Sequence, residues 1–97
     1  MRIISRKALR QFWQRQADAE QPLKAWFREA SKANWNSPSA IKAMYRSASV
    51  VGNNRVVFNI AGNKYRLEVK VNYRYRVMYI RFVGTHRQYD KINVLEV

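Results

Sequence analysis

The stretch "KYRLEVKVN", residues 64–72, decides the fold of this chain. Two sets of side chains alternate along it without a break: the apolar Tyr65, Leu67, Val69 and Val71, and the polar Lys64, Arg66, Glu68, Lys70 and Asn72. Successive side chains of a β-strand point to opposite faces of its sheet. The stretch therefore predicts a strand with one face in the core and one polar face that can remain open.

The segments on both sides of this strand repeat the period of two. In residues 54–60, Val56, Phe58 and Ile60 alternate with Arg55, Val57 and Asn59, and "AGN" at 61–63 is a turn signal. In residues 76–83 we expect two faces: Met78, Ile80 and Phe82 on one, and Val77, Tyr79, Arg81 and Val83 on the other. Because the connections are short, the pattern predicts an antiparallel meander.

The first half of the chain has helical periodicity instead. We expect a strand within "MRIISRKALRQFW" that leads into a first helix at 5–17, a second helix at 22–34, and a short third helix that Ser37 caps and Pro38 starts. In "GTHRQYDKI", residues 84–92, Thr85 and Gln88 have the spacing of a capping box, which predicts a short helix or turn.

These elements give an α+β fold class: N-terminal helices packed on one face of an antiparallel β-sheet, followed by a short C-terminal helix or turn. Neither a linker nor an internal repeat interrupts the 97 residues, so we expect a single domain over 1–97.

The composition indicates an anionic partner. The net charge is +13, and the excess is spread over both halves, with ten basic and three acidic residues in 1–49 and nine and three in 50–97. Such a field attracts polyanions, nucleic acid above all, although an acidic protein partner is also compatible with it. No cysteine and a single histidine argue against disulfides and zinc sites, and we expect neither a metal nor a cofactor. Without a long apolar run, we expect a cytoplasmic protein and no membrane.

Strand parity narrows how the 64–72 and 76–83 strands pair. If their apolar faces point the same way, opposed residues have numbers whose sum is odd. A sum near 147 places Arg66 opposite Arg81 and Glu68 opposite Tyr79; the sums 145 and 149 are also allowed, and 149 pairs Arg81 with Glu68. Two facing arginines destabilise a sheet unless an anion lies between them, and a phosphodiester fits that need.

The same parity argument brings Lys64, Arg66, Arg81 and His86 toward one edge of the sheet. This set suits metal-free RNA cleavage by the ribose 2′-OH, in which cations stabilise the transition state and His86 acts as base or acid. Tyr89 could donate a proton or stack on a base, and Asp90 could orient His86 or neutralise Arg87 or Lys91. The competing interpretation is a solvated basic face with His86 as a surface residue of a helix start.

Three longer stretches carry a family resemblance: "NWNSPSAIKAMY" at 34–45, "FNIAGNKYRLEVKVNY" at 58–73 and "YIRFVGTHRQYDKI" at 79–92. They resemble the HigB toxins of bacterial type II toxin–antitoxin systems, within the RelE-like superfamily. The resemblance implies a RelE-like small domain and an mRNA endonuclease, often acting in the A site of the 30S ribosomal subunit. It also implies a HigA-type antitoxin with a helix-turn-helix. The matching motifs point to Asn63, Lys64, Arg66, Arg81, His86, Tyr89 and Asp90.

We therefore expect an mRNA interferase that needs no metal and leaves a 2′,3′-cyclic or 3′-phosphate. The catalytic assignment is Lys64, Arg66, Arg81, His86 and Tyr89. The residues assigned to RNA contacts are Asn63, Lys70, Arg74, Arg76, Arg87, Asp90 and Lys91. The alternative is a non-catalytic RNA- or ribosome-binding module. A DNA-binding repressor ranks lower, because no helix-turn-helix pattern stands out.

Overall fold

A five-stranded sheet and four helices make up the structure, a computed structural model that describes all 97 residues. The strands are β1 (Arg2–Ile4), β2 (Ser49–Val51), β3 (Arg55–Ile60), β4 (Tyr65–Asn72) and β5 (Val77–Thr85). The helices are α1 (Arg6–Arg15), α2 (Glu20–Lys32), α3 (Pro38–Met44) and α4 (His86–Tyr89), with a 3₁₀ turn at Ala17–Ala19. The α+β class and the strand before the first helix are confirmed.

The sheet has the order β1-β5-β4-β3-β2 and is mixed. Strands β3 to β5 form the expected antiparallel meander, and β2 extends it by pairing antiparallel with β3. Strand β1 pairs with β5 in parallel, so the sheet is not purely antiparallel. Strand β2 was not predicted, because three residues at an edge are too short for a visible alternation. No helix is both long and apolar enough to cross a membrane.

The predicted start of a helix agrees best with the observed start where a neighbouring side chain caps the helix. Ser37 Oγ accepts a hydrogen bond from the Ala40 amide at 3.2 Å, and Pro38 opens α3 as expected. Ser5 precedes α1 but makes no side-chain cap. Helix α2 begins at Glu20, two residues before the predicted start, because the 3₁₀ turn runs directly into it.

The core lies between the helices and one face of the sheet. Its helical side comes from Leu9, Phe12, Leu23, Trp26, Ala30 and Ile41; its strand side comes from Val56, Phe58, Ile60, Tyr65, Leu67, Val69, Val71 and Met78. Ring pairs join the two layers, with the Trp26 and Phe58 centroids 5.3 Å apart. Burial of these side chains is the main source of stability of the sheet, and it leaves the opposite face to the polar residues of β4.

A β-bulge in β5 changes the predicted register. Near the loop the residue numbers of each pair sum to 149, one of the three allowed registers, as in Lys70↔Tyr79. Glu68 then pairs with Phe82 and not with Arg81, which is the extra residue. The expected pairing of Arg66 with Arg81 is therefore wrong: Arg66 lies opposite Gly84. The expected face assignment is also wrong beyond the bulge, since the extra residue turns Phe82 to the polar face and Val83 toward the core.

The polar face of the sheet is less open than expected. The C-terminal residues reach across it: Asn53 Nδ2 donates to the Leu95 oxygen at 3.2 Å, and Arg55 Nη2 donates to the Val97 oxygen at 2.9 Å. Arg55 and Glu68 are consequently buried, although both point away from the helical core. The open surface is thus divided into two parts, one at α4 and one near the β4–β5 loop.

Candidate active site

The turn between β3 and β4 carries the residue that joins the site together. Ala61 and Gly62 adopt positive φ angles of 55° and 70°, and the Lys64 amide closes the turn on the Ala61 oxygen at 3.3 Å. At its end the Asn63 Oδ1 accepts a hydrogen bond from Arg66 Nη1 at 2.8 Å. The same oxygen lies 3.1 Å from His86 Nε2. One amide oxygen thus connects the arginine of β4 to the histidine of α4.

Helix α4 is held in place by the predicted capping box. The Gln88 amide donates to Thr85 Oγ1 at 3.2 Å, and the Thr85 amide donates to Gln88 Oε1 at 2.9 Å. Both bonds together satisfy two amides at the start of the helix. They set the direction of a helix of only four residues, and with it the positions of His86 and Tyr89.

Gly84 provides the room for this arrangement. A Cβ atom at position 84 would lie 2.6 Å from Gln88 Oε1 and 2.6 Å from Cζ of Phe82. The glycine therefore lets the capping side chain and the Phe82 ring approach the strand directly opposite Arg66. Phe82 and Gly84 were not among the predicted site residues, and a glycine within a strand pattern was the only available signal.

Tyr89 supports Arg66 from the side of α4. The Arg66 guanidinium carbon lies 5.7 Å from the centroid of the Tyr89 ring, within the range of a cation–π contact. Phe82 lies next to the same ring, with centroids 6.3 Å apart. Burial raises the pKa of the Tyr89 hydroxyl, and the nearby Glu68 carboxylate acts in the same direction. The hydroxyl therefore stays protonated and can donate a hydrogen bond, but it cannot serve as a base near neutral pH.

The contact with Asn63 also fixes the proton arrangement of His86. An amide oxygen only accepts hydrogen bonds, so the His86 Nε2 must carry the hydrogen that faces it. In the neutral ring the lone pair is then on Nδ1, the nitrogen that remains free to take a proton. Next to it, the guanidinium of Arg66 offers further N–H groups to a phosphate. Together the residues place a guanidinium group that can bind an anion beside an imidazole with a free ring nitrogen.

Lys64 is turned away from this cluster. Its Nζ forms an ion pair with Asp18, which also accepts a hydrogen bond from the Tyr65 hydroxyl. The ammonium group of Lys64 lowers the pKa of the Asp18 carboxyl, and the carboxylate raises the pKa of Lys64. Both partners are exposed to solvent, so the pair is a weak one and the lysine is free to exchange partners.

Arg81 lies on the same face, but nearer to the C-terminal segment than to Asn63. Its Nε donates to the Val97 oxygen at 3.3 Å. It adds to the positive field around Glu68, whose Oε2 is 3.2 Å from Arg55 Nε. Neither carboxylate oxygen of Glu68 accepts a hydrogen bond. Burial raises the pKa of Glu68, while Arg55 and Arg81 oppose that shift.

The residues assigned to RNA contacts are spread over the surface. Lys70 lines a groove near the β4–β5 loop, and Arg74 covers the Tyr75 ring at 5.4 Å. Arg76 is held by the Asn34 side chain at 2.6 Å and by the oxygen of Tyr73. Arg87, Asp90 and Lys91 are exposed at or just beyond α4 and form no ion pair. Only Asn63 among the residues in this set lies in the cluster with Arg66 and His86.

Comparisons with known proteins agree on one family. A family model described as HigB_toxin, RelE-like toxic component of a toxin-antitoxin system, matches residues 19–92. The chain is 29% identical over 92 residues to the mRNA interferase toxin HigB of Escherichia coli strain K12, an alignment that covers 93% of this chain and 88% of the relative. The proteins named mRNA interferase HigB from Escherichia coli O157:H7 and Shigella flexneri match with the same identity and coverage.

Proposed function

This chain belongs to the HigB family, the RelE-like toxic components of toxin–antitoxin systems, and we propose that it is an mRNA interferase whose active site is the cluster of Asn63, Arg66, His86 and Tyr89. The observation that carries the proposal is the shared contact of Asn63 Oδ1 with Arg66 Nη1 and His86 Nε2. This contact holds a guanidinium group beside an imidazole at the surface of a strongly basic protein, an arrangement that suits phosphate binding and proton transfer. The names of the curated relatives support the reaction class.

In the proposed reaction the ribose 2′-oxygen attacks the adjacent phosphorus, and the bond from phosphorus to the 5′-oxygen breaks. The His86 Nδ1 takes the proton of the 2′-OH as general base. Arg66 stabilises the charge that develops on the phosphoryl oxygens. The protonated hydroxyl of Tyr89 donates to the leaving 5′-oxygen, and solvent restores both groups. The products are a 2′,3′-cyclic phosphate and a 5′-hydroxyl.

Two further cations complete the proposed site from its flanks. Lys64 can exchange its exposed Asp18 partner for a backbone phosphate of the RNA. Arg81 lies on the other flank, at the groove near the β4–β5 loop, where it can bind a phosphate further along the RNA. We further propose that the substrate is mRNA in the A site of the 30S ribosomal subunit, in the cytoplasm. We also propose that a HigA-type antitoxin with a helix-turn-helix neutralises the toxin. The net charge of +13 supports contact with ribosomal RNA and with an acidic antitoxin surface alike.

The rival function is a basic module that binds RNA or ribosomes without cutting. The deciding experiment has two arms. In the first, purified protein is incubated with free mRNA in excess chelator; in the second, it is incubated with mRNA on translating ribosomes. We expect cuts in at least the ribosome arm that vanish for Arg66→Ala, while the exposed Arg46→Ala control, far along the chain from the cluster, cuts normally. Binding without cutting in both arms would favour the module. In-frame cuts that stop when translation is blocked would establish ribosome dependence.

A further inference from the structure

A second concave surface lies on the polar face of the sheet, away from the cluster at α4. It is a groove of about 530 Å³ near the β4–β5 loop. The side chains that define it are Asn54, Lys70, Asn72, Tyr73, Tyr79 and Arg81. Its volume falls within the range of sites for small ligands, which suffices for one nucleotide. The mixture of aromatic rings, amides and cations distinguishes it from an ordinary basic surface.

Several polar groups in the groove have no partner within the protein. Tyr79 is 39% exposed, and its ring contacts no other aromatic ring. Lys70 lies directly across the strands from Tyr79 and forms no ion pair. The main-chain oxygen of Asn54 accepts from the Val71 amide at 2.8 Å, whereas its side-chain amide forms no hydrogen bond within the protein. An exposed aromatic ring can stack on a base, a free amide can form hydrogen bonds with the edge of the base, and a free ammonium group can bind the phosphate.

The position of the groove relates it to the proposed active site. Lys70 follows Arg66 by four residues on the same face of β4, about 13 Å along a strand. A nucleotide in the groove would therefore flank the scissile phosphate and not be the one that is cut. Arg81, at the bulge, lines the groove and lies next to the Glu68–Phe82 pair that separates the two surfaces. A single RNA strand that passes over the C-terminal residues between the two surfaces would contact both.

We propose that this groove is a nucleotide subsite in which a base of single-stranded RNA stacks on Tyr79, the Asn54 amide reads its edge, and Lys70 and Arg81 hold the adjacent phosphate. This proposal rests on the proposed function, because the RNA that binds in the groove is the substrate of the proposed enzyme. It assigns the base preference of the enzyme to a flanking nucleotide and to residues that take no part in proton transfer.

The test measures binding without cleavage. Labelled 2′-O-methyl oligoribonucleotides, one homopolymer for each base, lack the attacking hydroxyl and are titrated with the full chain by fluorescence anisotropy. We expect Tyr79→Ala to weaken binding at least about fivefold, which is the lower end of base–aromatic stacking, and Tyr79→Phe to bind like the wild type. Asn54→Gly, which suits the φ angle of 60° at this position, should reduce the differences between the homopolymers.

The matched control is Tyr75→Ala, because Tyr75 is a 67% exposed tyrosine of the neighbouring loop that does not line the groove. Its affinity should equal that of the wild type. The proposal is overturned if Tyr79→Ala binds every homopolymer as the wild type does, or if the wild type binds none. It is also overturned if Tyr79→Ala weakens only the antitoxin complex, since the groove would then serve a protein.

These outcomes separate the groove from the catalytic proposal. If the oligonucleotides bind as expected but no RNA is cut in any assay, the subsite stands and the proposed enzyme activity fails. If RNA is cut, and Tyr79→Ala cuts with unchanged KM while Asn54→Gly keeps the base preference around the cleavage site, the activity stands and the subsite fails. Active Tyr79→Ala enzyme should instead show a raised KM, with kcat little changed.

Discussion

Asn63 and His86 lie in contact, with the Asn63 Oδ1 3.1 Å from the His86 Nε2, although 23 residues separate them along the chain. The turn after β3 and the capped helix after β5 thus meet in a single polar contact, which Arg66 also shares. Because that contact both orients the imidazole and holds the guanidinium, we regard Asn63 as the positioning residue of the proposed site.

The first prediction concerns this residue. Asn63→Ala should lower kcat about tenfold or more, since two hydrogen bonds of about 1 kcal/mol each are lost, with a small change in thermal stability because Asn63 is exposed. Asn63→Asp, which keeps an accepting oxygen at this position, should retain more activity than Asn63→Ala. The control is Asn93→Ala, whose amide makes only a local bond to the Leu95 amide. Unchanged kcat in Asn63→Ala would refute the positioning role.

The second prediction is the shape of the pH-rate profile. The alkaline side of the profile should show no falling limb below about pH 10. The reason is that burial and Glu68 raise the pKa of Tyr89 above its ordinary value of 10.0, so the donor stays protonated. Single-turnover cleavage between pH 5 and 9 measures this. A profile that falls below pH 9 would contradict the role of the Tyr89 hydroxyl as the proton donor.

The third prediction concerns Gly84. Replacement with alanine places a methyl group 2.6 Å from Gln88 Oε1 and from the Phe82 ring, so the ends of these two side chains must shift, and the shift of Gln88 strains the capping bond. We expect Gly84→Ala to lower the free energy of unfolding by about 1–3 kcal/mol. We also expect it to lower kcat, because the positions of His86 and Tyr89 depend on the capped helix.

A double-mutant cycle with Gln88→Ala separates the cap from other causes. If loss of the capping bond explains the effect, the two substitutions should be strongly non-additive in thermal unfolding and in cleavage. Full additivity would show that the Gly84 methyl group acts elsewhere.

The fourth prediction uses the buried carboxyl of Glu68. Its pKa in the folded protein is raised above the ordinary value of 4.5, so its protonated form favours folding. The stabilising effect is complete below pH 4.5 and is lost as the pH rises through the folded-state pKa. The free energy of unfolding of the wild type, relative to Glu68→Gln, should therefore decrease between pH 4 and 7.

Urea denaturation at several pH values measures that difference. The substitution keeps the size of the side chain and leaves Arg55 its bonds to the Val97 oxygen, so both proteins are expected to fold. A difference that does not change with pH, or one that increases, would mean that the ion pair with Arg55 outweighs the effect of burial.

The local features of this structure follow from the sequence, and the non-local ones do not. The cap at Ser37 and the capping box at Thr85 depend on residues three positions apart, and both form as predicted. The HigB resemblance and the α+β class are confirmed, since the class depends only on the change from helical to strand periodicity. By contrast, the parity rule assumed regular strands, and the bulge at Arg81 broke it beyond that residue.

The proposed site was only partly predictable for the same reason. Arg66, His86, Tyr89 and Asn63 meet because short turns connect their elements, which the sequence made visible. The partner of Lys64, Asp18, comes from the distant 3₁₀ turn, and no local pattern indicates it. Nor does any pattern indicate that the C-terminal segment crosses the sheet and buries Glu68.

The most direct test of the central claim removes one oxygen atom from the substrate. After the cleavage site is mapped, the ribose on its 5′ side is replaced with a 2′-deoxyribose, and cleavage is measured with wild-type protein under the conditions that cut the all-RNA message. We expect cleavage at that site to stop while binding persists, and the all-RNA product to carry a 2′,3′-cyclic or 3′-phosphate. Continued cleavage at the deoxy site, with a 5′-phosphate on the product, would contradict attack by the 2′-OH and with it the roles assigned to Arg66 and His86.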